Sequence, residues 1–288
     1  MLHVTHLKKL YKNEQGITGV SFTLEKGQVC AVVGHNGSGK TTLFKTLSGL
    51  LHPDKGTIVI KTNKQRRLAM GYLPENRSVI ADMETVEFIT FFGKLKGMSD
   101  TMIIHAMQQW MTFLDCDDLR GKKLRQCSKG NQQKIQMISC LIHDPDILIL
   151  DEPFSGLDID NTRLFEKLII HLKKQEKCIL LSSHRFEEIE HLCDMLMVLK
   201  ASHVVIEGSL KQIRDAADSH TVTLSNDPHM SFRNEKGVCD VIVDGNLTHY
   251  YVVSEASCTR LMQAILKERD HRTVKVASLM LRDLVRSV

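Results

Sequence analysis

Residues 34 to 41 read Gly34-His35-Asn36-Gly37-Ser38-Gly39-Lys40-Thr41, a G-x-x-x-x-G-K-[ST] run. Glycines at this spacing let a backbone wrap closely round an anion, with main-chain N–H groups turned toward phosphate oxygens. Lys40 is expected to reach the β- and γ-phosphates of a nucleoside triphosphate, and Thr41 to offer its hydroxyl to Mg²⁺. The segment 28–33 before the loop reads as a buried strand, and the segment from about Lys40 through Thr42 to Leu47 as an amphipathic helix. Such a helix would aim its positive dipole end at the same phosphates. A Gly-rich turn that binds nothing has no need of a strand before it and a helix after it.

Hydrolysis needs acids as well as a cradle. Ile147-Leu148-Ile149-Leu150-Asp151-Glu152 is an apolar strand ending in two carboxylates, as where a buried parallel strand delivers acids to the carboxyl edge of an α/β sheet. Asp151 suits Mg²⁺ held through water, and Glu152 suits general-base work on an attacking water. Two acids after an apolar run can also be a solvated strand end; the phosphate loop upstream weighs against that. Upstream of this strand, Ser128 is a good N-cap for an amphipathic helix through Ile142, and Gly130 and Asn131 leave backbone N–H groups accessible to an anion.

In this order the motifs resemble the ATP-binding cassette (ABC) family, whose Leu-Ser-Gly-Gly-Gln signature corresponds to Cys127 through Asn131 here; Lys and Asn variants belong to one export-type branch. The resemblance covers residues 2 to about 208. It implies that Tyr11 stacks on adenine, that Ser155-Gly156-Leu157-Asp158 is the D-loop, and that His184, closing the strand 178–183, is the switch histidine. The nucleotide-binding set it implies is Tyr11, Gly34, His35, Asn36, Gly37, Ser38, Gly39, Lys40, Thr41, Thr42, Glu75, Ser128, Gly130 and Asp158. Thr41, Asp151 and Glu75 form the implied metal set, and Glu152, His184 and Lys40 the implied catalytic set. Glu75, in Gly71-Tyr72-Leu73-Pro74-Glu75, departs from the pattern, because most of the family carries Gln there.

The elements that position these residues are expected to form a P-loop cassette of α/β class: a mixed sheet core, an antiparallel β subdomain over residues 2–24, and an inserted helical subdomain over about 79–141. Thr57–Ile60 reads as a strand beside the phosphate-loop strand and helix. Phe88, Ile89, Phe91, Phe92 and Leu95, then Met102, Ile103, Met107, Trp110, Met111 and Leu114, recur at helical spacing and read as the core of the helical subdomain. In the family, a groove of that subdomain receives a cytoplasmic helix of the membrane partner. The boundary of the ATPase domain is expected at residue 211, followed by a small α+β accessory domain over 212–288. Its strands are read at 221–224, 238–243, 249–253 and 273–276, with helices at 255–269 and from Ser278, and a turn at Asn226-Asp227-Pro228.

Composition sets bounds. The 288 residues are 42% hydrophobic and 25% charged, enough for one large core and a small second one. A formal charge of +4, with basic runs such as Arg120 to Arg125 reading as solvated loops, implies no attraction to nucleic acid. The eight cysteines show no C-x-x-C spacing and read as reduced, mostly buried thiols. His184, Glu187, Glu188, His191, Cys193 and Asp194 crowd together without H-E-x-x-H or paired C-x-x-C spacing, so they read as a solvated helix rather than a zinc site. Asn63-Lys64 lacks the Asp that a guanine-specifying N-K-x-D needs, since Arg66 stands there. No apolar run approaches the roughly 20 residues that cross a bilayer, and Met1-Leu2-His3 opens no signal peptide. The chain is therefore expected in the cytoplasm, peripheral to the inner face of the cell membrane, without direct membrane insertion.

The resemblance implies an ATP-sandwich dimer, expected as a homodimer with a second ABC ATPase subunit. Lys40, Thr41, Asp151 and Glu152 of one copy would face Ser128 and Gly130 of the other. The leading expectation is an ATP-hydrolysing, Mg²⁺-dependent subunit driving a separate membrane permease, of an exporter. The alternative is a soluble, non-transport ABC ATPase acting on a macromolecular partner. A scaffold that binds ATP without turnover is disfavoured by intact Glu152 and His184.

Overall fold

The computed structural model describes residues 1–12, 15–61, 70–76, 79–216, 220–225, 227, 229–267 and 273–278. Asn63, Lys64, Arg66, Asn226, Pro228 and the residues after Ser278 lie outside them. The chain divides into two compact units, Met1–Gly208 and Ser209–Val288.

The first unit opens with β1 (Leu2–Leu10) and β2 (Gly16–Leu24), paired antiparallel from Leu2↔Leu24 to Leu10↔Gly16. The buried strand β3 (Val29–Val33) leads through the glycine loop into α1 (Lys40–Leu47). Next comes β4 (Lys55–Ile60), which sequence alone places beside β3 and α1. It pairs antiparallel with β1 instead, giving a sheet of order β2-β1-β4. Its residues alternate between exposed and half-buried, as suits an edge strand and not a fully covered parallel one.

A six-stranded sheet of order β5-β6-β7-β3-β8-β9 forms the centre, with β5 at Met70–Leu73, β6 at Ile147–Leu150, β7 at Cys178–Ser182, β8 at Met195–Lys200 and β9 at His203–Ser209. Pairing is parallel from β5 through β6, β7 and β3 to β8. Every residue of β3, β6 and β7 is buried, which is why these segments are near-continuous Val, Ile and Leu. Leu43, Phe44 and Leu47 of α1 join the two sheets into one core with Leu7, Ile17, Phe22, Val32, Ile149 and Met197.

Between β5 and β6 run α2 (Thr85–Leu95), α3 (Asp100–Phe113) and α4 (Lys129–Leu141). The helical stripe is only partly core. Phe88, Ile89, Ile103, Met107 and Met111 are buried, whereas Phe91, Leu95 and Met102 are exposed. Spacing tells which face a residue takes but not how far along that face a neighbour reaches. The basic run after α3 is neutralised locally, with Arg120 on Asp117, Lys122 on Asp118 and Arg125 on Asp82. The unit is completed by α5 (Ile159–Lys174) and α6 (Phe186–Leu192), which flank β7 in sequence.

The second unit contains α7 (Leu210–Ala216), β10 (His220–Ser225), β11 (Val238–Asp244), β12 (Leu247–Val252), α8 (Glu255–Lys267) and β13 (Val274–Ser278). Its antiparallel sheet has the order β11-β12-β10-β13. Val222, Leu224, Tyr250 and Val252 pack against Cys258, Leu261 and Ile265 of α8 in a separate core. Ser278, where sequence starts a last helix, ends β13 instead, and Glu268 and Arg269 of the helix read at 255–269 lie outside the described residues. Among the described residues, no helix is long and apolar enough to cross a membrane.

Candidate functional site

Four parallel strands end side by side, in the order β5, β6, β7, β3. The chain leaves their carboxyl ends at Glu75, at Asp151-Glu152, at Ser183-His184 and at the glycine loop. In open α/β sheets this edge is where ligands are received. A cavity of about 350 Å³ lies there, lined by Tyr11, Gln15, Gly16, Asn36, Gly37, Gly39, Lys40, Thr41, Thr42, Glu75, Glu152 and His184. Ten of these twelve are residues that sequence nominates; Gln15 and Gly16, at the β1–β2 turn, are additions.

The loop's glycines serve two purposes. Gly39 has φ +112°, and a Cβ there would stand 2.1 Å from the Gly16 carbonyl oxygen, so close packing on β2 demands it. Gly37 has φ +81° but faces open space. The amino end of α1 has no side-chain cap, which leaves its first-turn N–H groups for an anion. Ser38 Oγ is buried without a hydrogen-bond partner. Lys40 Nζ donates to the carbonyl oxygens of Gly34 (2.6 Å) and His35 (3.3 Å), folded back on the loop it would serve.

Thr41 Oγ1 donates to Asp151 Oδ2 at 3.2 Å. Two hard oxygen donors held together in this way fit a Mg²⁺ ion. Ser182, at the end of β7, donates to Asp151 Oδ1 (2.7 Å) and accepts from the Glu152 N–H (2.8 Å), so one hydroxyl fixes both acids. The Asp151 N–H donates to the Leu73 carbonyl at 2.8 Å, which ties the acids to β5 as well. Glu152 itself sits at φ +50°, a left-handed conformation that a non-glycine residue adopts at a cost of about 1 kcal/mol or more.

His184 Nε2 lies 3.2 Å from Glu152 Oε1, but the pair is not aligned as a hydrogen bond, and Oε1 is buried without a hydrogen-bond partner among the described residues. Burial pushes the Glu152 carboxyl up to about 7, against the pull of Lys40 and with added push from Asp151 and Glu75. Burial also lowers the Lys40 ammonium, opposed by Glu152, Asp151 and Glu75, and it lowers His184, with Lys40 acting in the same direction. A carboxyl raised toward neutrality at the mouth of the phosphate loop suits proton acceptance from water.

Ser128, Gly130 and Asp158 do not line this cavity. Ser128 caps α4 by accepting from the Asn131 N–H, and Asp158 caps α5 by accepting from the Asn161 N–H. Asn161 joins them: its amide donates to Asp158 Oδ2 at 3.0 Å, and a Cβ on Gly130 would lie 3.2 Å from the same amide nitrogen. Beside Gln15 and Gly16, sequence misses Asn161 and Ser182. Ser182 leaves one trace, a hydroxyl at the end of an otherwise apolar strand.

A larger groove of about 590 Å³ adjoins the first, lined by Met70, Phe88, Phe92, Lys96, Gln136, His143 and Asp151 among others; Thr41 and Glu75 line both. The crowded segment after His184 is spoken for in pairs. Glu188 accepts from Ser183 Oγ (2.9 Å) and meets Arg185 (2.6 Å), and Asp194 meets Lys173 (2.6 Å). Among the described residues, no group of three or more His, Cys, Asp or Glu converges on a point.

Known proteins resemble this chain in sequence and fold. The ABC transporter family model matches residues 17–155. An uncharacterised ABC transporter ATP-binding protein of Methanocaldococcus jannaschii is 38% identical over 212 residues, which cover 74% of this chain and 79% of that protein. The Nod factor export ATP-binding protein I of Burkholderia lata is 30% identical over 243 residues, 82% of this chain and 74% of that one. A solved structure of an ATP-binding subunit of an ABC transporter superposes with a TM-score of 0.68 at 26% identity, over 75% of this chain and 92% of that one. The motifs, the sheet edge that gathers them and these likenesses lead to one assignment: the chain belongs to the family of ABC transporter ATP-binding subunits.

Proposed function

We propose that the chain hydrolyses ATP with Mg²⁺, as one of two paired subunits that drive a separate membrane permease in an exporter. The observation that carries this reading is the gathering of Lys40, Thr41, Glu152 and His184 at one cavity beside the uncapped end of α1, with Asp151 bonded to Thr41. Tyr11, 46% exposed at the cavity rim, offers a flat apolar face to a base. Lys40 would exchange its loop carbonyls for phosphate oxygens. Thr41 and Asp151 would hold Mg²⁺, whose chemistry there is to neutralise charge on the β- and γ-oxygens. Glu152 would take the proton of the attacking water, with His184 orienting that water.

Ser128, Gly130 and Asp158 lie together outside the cavity, so their part in catalysis needs a second copy whose cavity they would face. ATP-dependent closure and opening of such a pair is the stroke a permease would use. The groove beside β5 supports docking of a permease helix, which would hold the chain at the cytoplasmic face of a membrane. Export is supported by the Lys-Gly-Asn signature and by the export role named for the Burkholderia lata relative.

Glu152→Gln tests the chemistry. The amide keeps the shape of the site but accepts no proton, so phosphate release should fall by about 10² to 10⁴. Mg·ATP binding should persist, and a dimer trapped with nucleotide should appear on size exclusion. Turnover at the wild-type rate in this variant would remove Glu152 from the role of base.

A further inference from the structure

We propose that Glu75 acts as a charge gate on the nucleotide cavity, turning away ATP that arrives without a divalent cation. The proposal rests on the reading of this cavity as an ATP site. Glu75 stands two residues past the end of β5 and lines the cavity with Lys40, Thr41 and Glu152. Its place is fixed through β5, whose Leu73 accepts from the Asp151 N–H and is paired with Leu150 of β6. Two carboxylates, those of Glu75 and Glu152, line a cavity that holds one ammonium, Lys40, and a third, Asp151, stands behind its Thr41. His184 adds no fixed cation, since burial and Lys40 hold its imidazole below its ordinary value.

The charge of Glu75 is felt inside the cavity. It is among the groups that act on Lys40, on Glu152 and on His184. A metal-free triphosphate is a multiply charged anion, and each fixed carboxylate near it opposes entry. A dication between them reverses the sign, so that the same carboxylate becomes favourable. Asp151 and Glu152 are fixed by Ser182 and have roles of their own; Glu75 is exposed and makes the site more anionic than the phosphate chemistry needs. Because Glu75 is exposed, its influence is screened by salt, and it should be read at low ionic strength.

The test is calorimetric titration of ATP, with EDTA or with Mg²⁺, into wild type and into Glu75→Gln, Glu75→Ala and Glu75→Asp at low salt. Metal-free affinity should rise about tenfold in the Gln and Ala variants and stay at the wild-type value in the Asp variant. Mg·ATP affinity should fall or stay level in the Gln and Ala variants and not rise, and the metal-free gain should shrink as salt is raised. Metal-free curves that coincide in all four proteins would overturn the gate. A gain in the Gln variant alone would also overturn it, because that is the mark of an amide contact and not of a removed charge. Equal gains with and without Mg²⁺ would show plain repulsion of nucleotide, with no conditionality. A wild type that binds neither form of ATP would sink the ATP reading itself, an outcome distinct from these.

Discussion

Lys40 and His184 line the same cavity but are held in different ways, and their replacement should separate binding from turnover. Lys40 is buried and already spends its ammonium on two loop carbonyls, so it is a preorganised cation with no solvent to replace it. Removing a charged partner from a desolvated phosphate costs about 1.5 to 3 kcal/mol, so Lys40→Ala should weaken Mg·ATP binding roughly 10- to 100-fold. His184 has a side chain 57% exposed, with its Nε2 3.2 Å from Glu152 Oε1. His184→Ala should leave affinity within about threefold and lower phosphate release by about 10² or more. Calorimetry alongside a phosphate-release assay reads both quantities, and an equal loss of affinity in the two variants would contradict the division.

At the scale of the element, the glycine loop shows why a motif is legible and its mechanics are not. The spacing from Gly34 to Thr41 points to a phosphate site, because its glycines and Lys40 suit a backbone wrapped round an anion. It does not say that Gly39 answers to β2, whose Gly16 carbonyl would meet any Cβ at 2.1 Å. Gly39→Ala should therefore cost about 3 kcal/mol or more, from positive φ and the clash together. Gly37→Ala, with open space around it, should cost only about 1 to 2 kcal/mol. Urea denaturation midpoints of the two variants decide this, and equal losses would remove the packing on Gly16 as a cause. The same limit applies elsewhere. Strand β4 pairs with β1 across more than forty residues of chain, which no local pattern encodes, and Ser182 acts on acids thirty residues away. The acids, the capping serine and the buried parallel strands were readable, because each is a local run of side chains with a local physical reason.

At the scale of the whole molecule, two cores are independent in composition. The core that joins the parallel and antiparallel sheets is built from residues between Leu2 and Val204, and the second from residues between Val222 and Val274. Every residue lining the nucleotide cavity lies between Tyr11 and His184. A chain ending at Lys211 keeps β9 (His203–Ser209) entire and loses the sheet and helix of the second unit. It should fold cooperatively and bind Mg·ATP with an affinity close to that of the full chain. Ligand at 100 times its Kd stabilises a fold by about 2.7 kcal/mol, which for a domain of this size raises Tm by about 5 to 10 °C. Thermal unfolding of the shortened chain with and without Mg·ATP is the measurement. A comparable rise in both proteins would assign the second unit to the lifetime of the ATP-bound pair or to the permease, which size exclusion in a Glu152→Gln background would then compare with the full chain. A shortened chain that is insoluble, or whose Tm does not respond to Mg·ATP, would mean that the second unit completes the fold of the first.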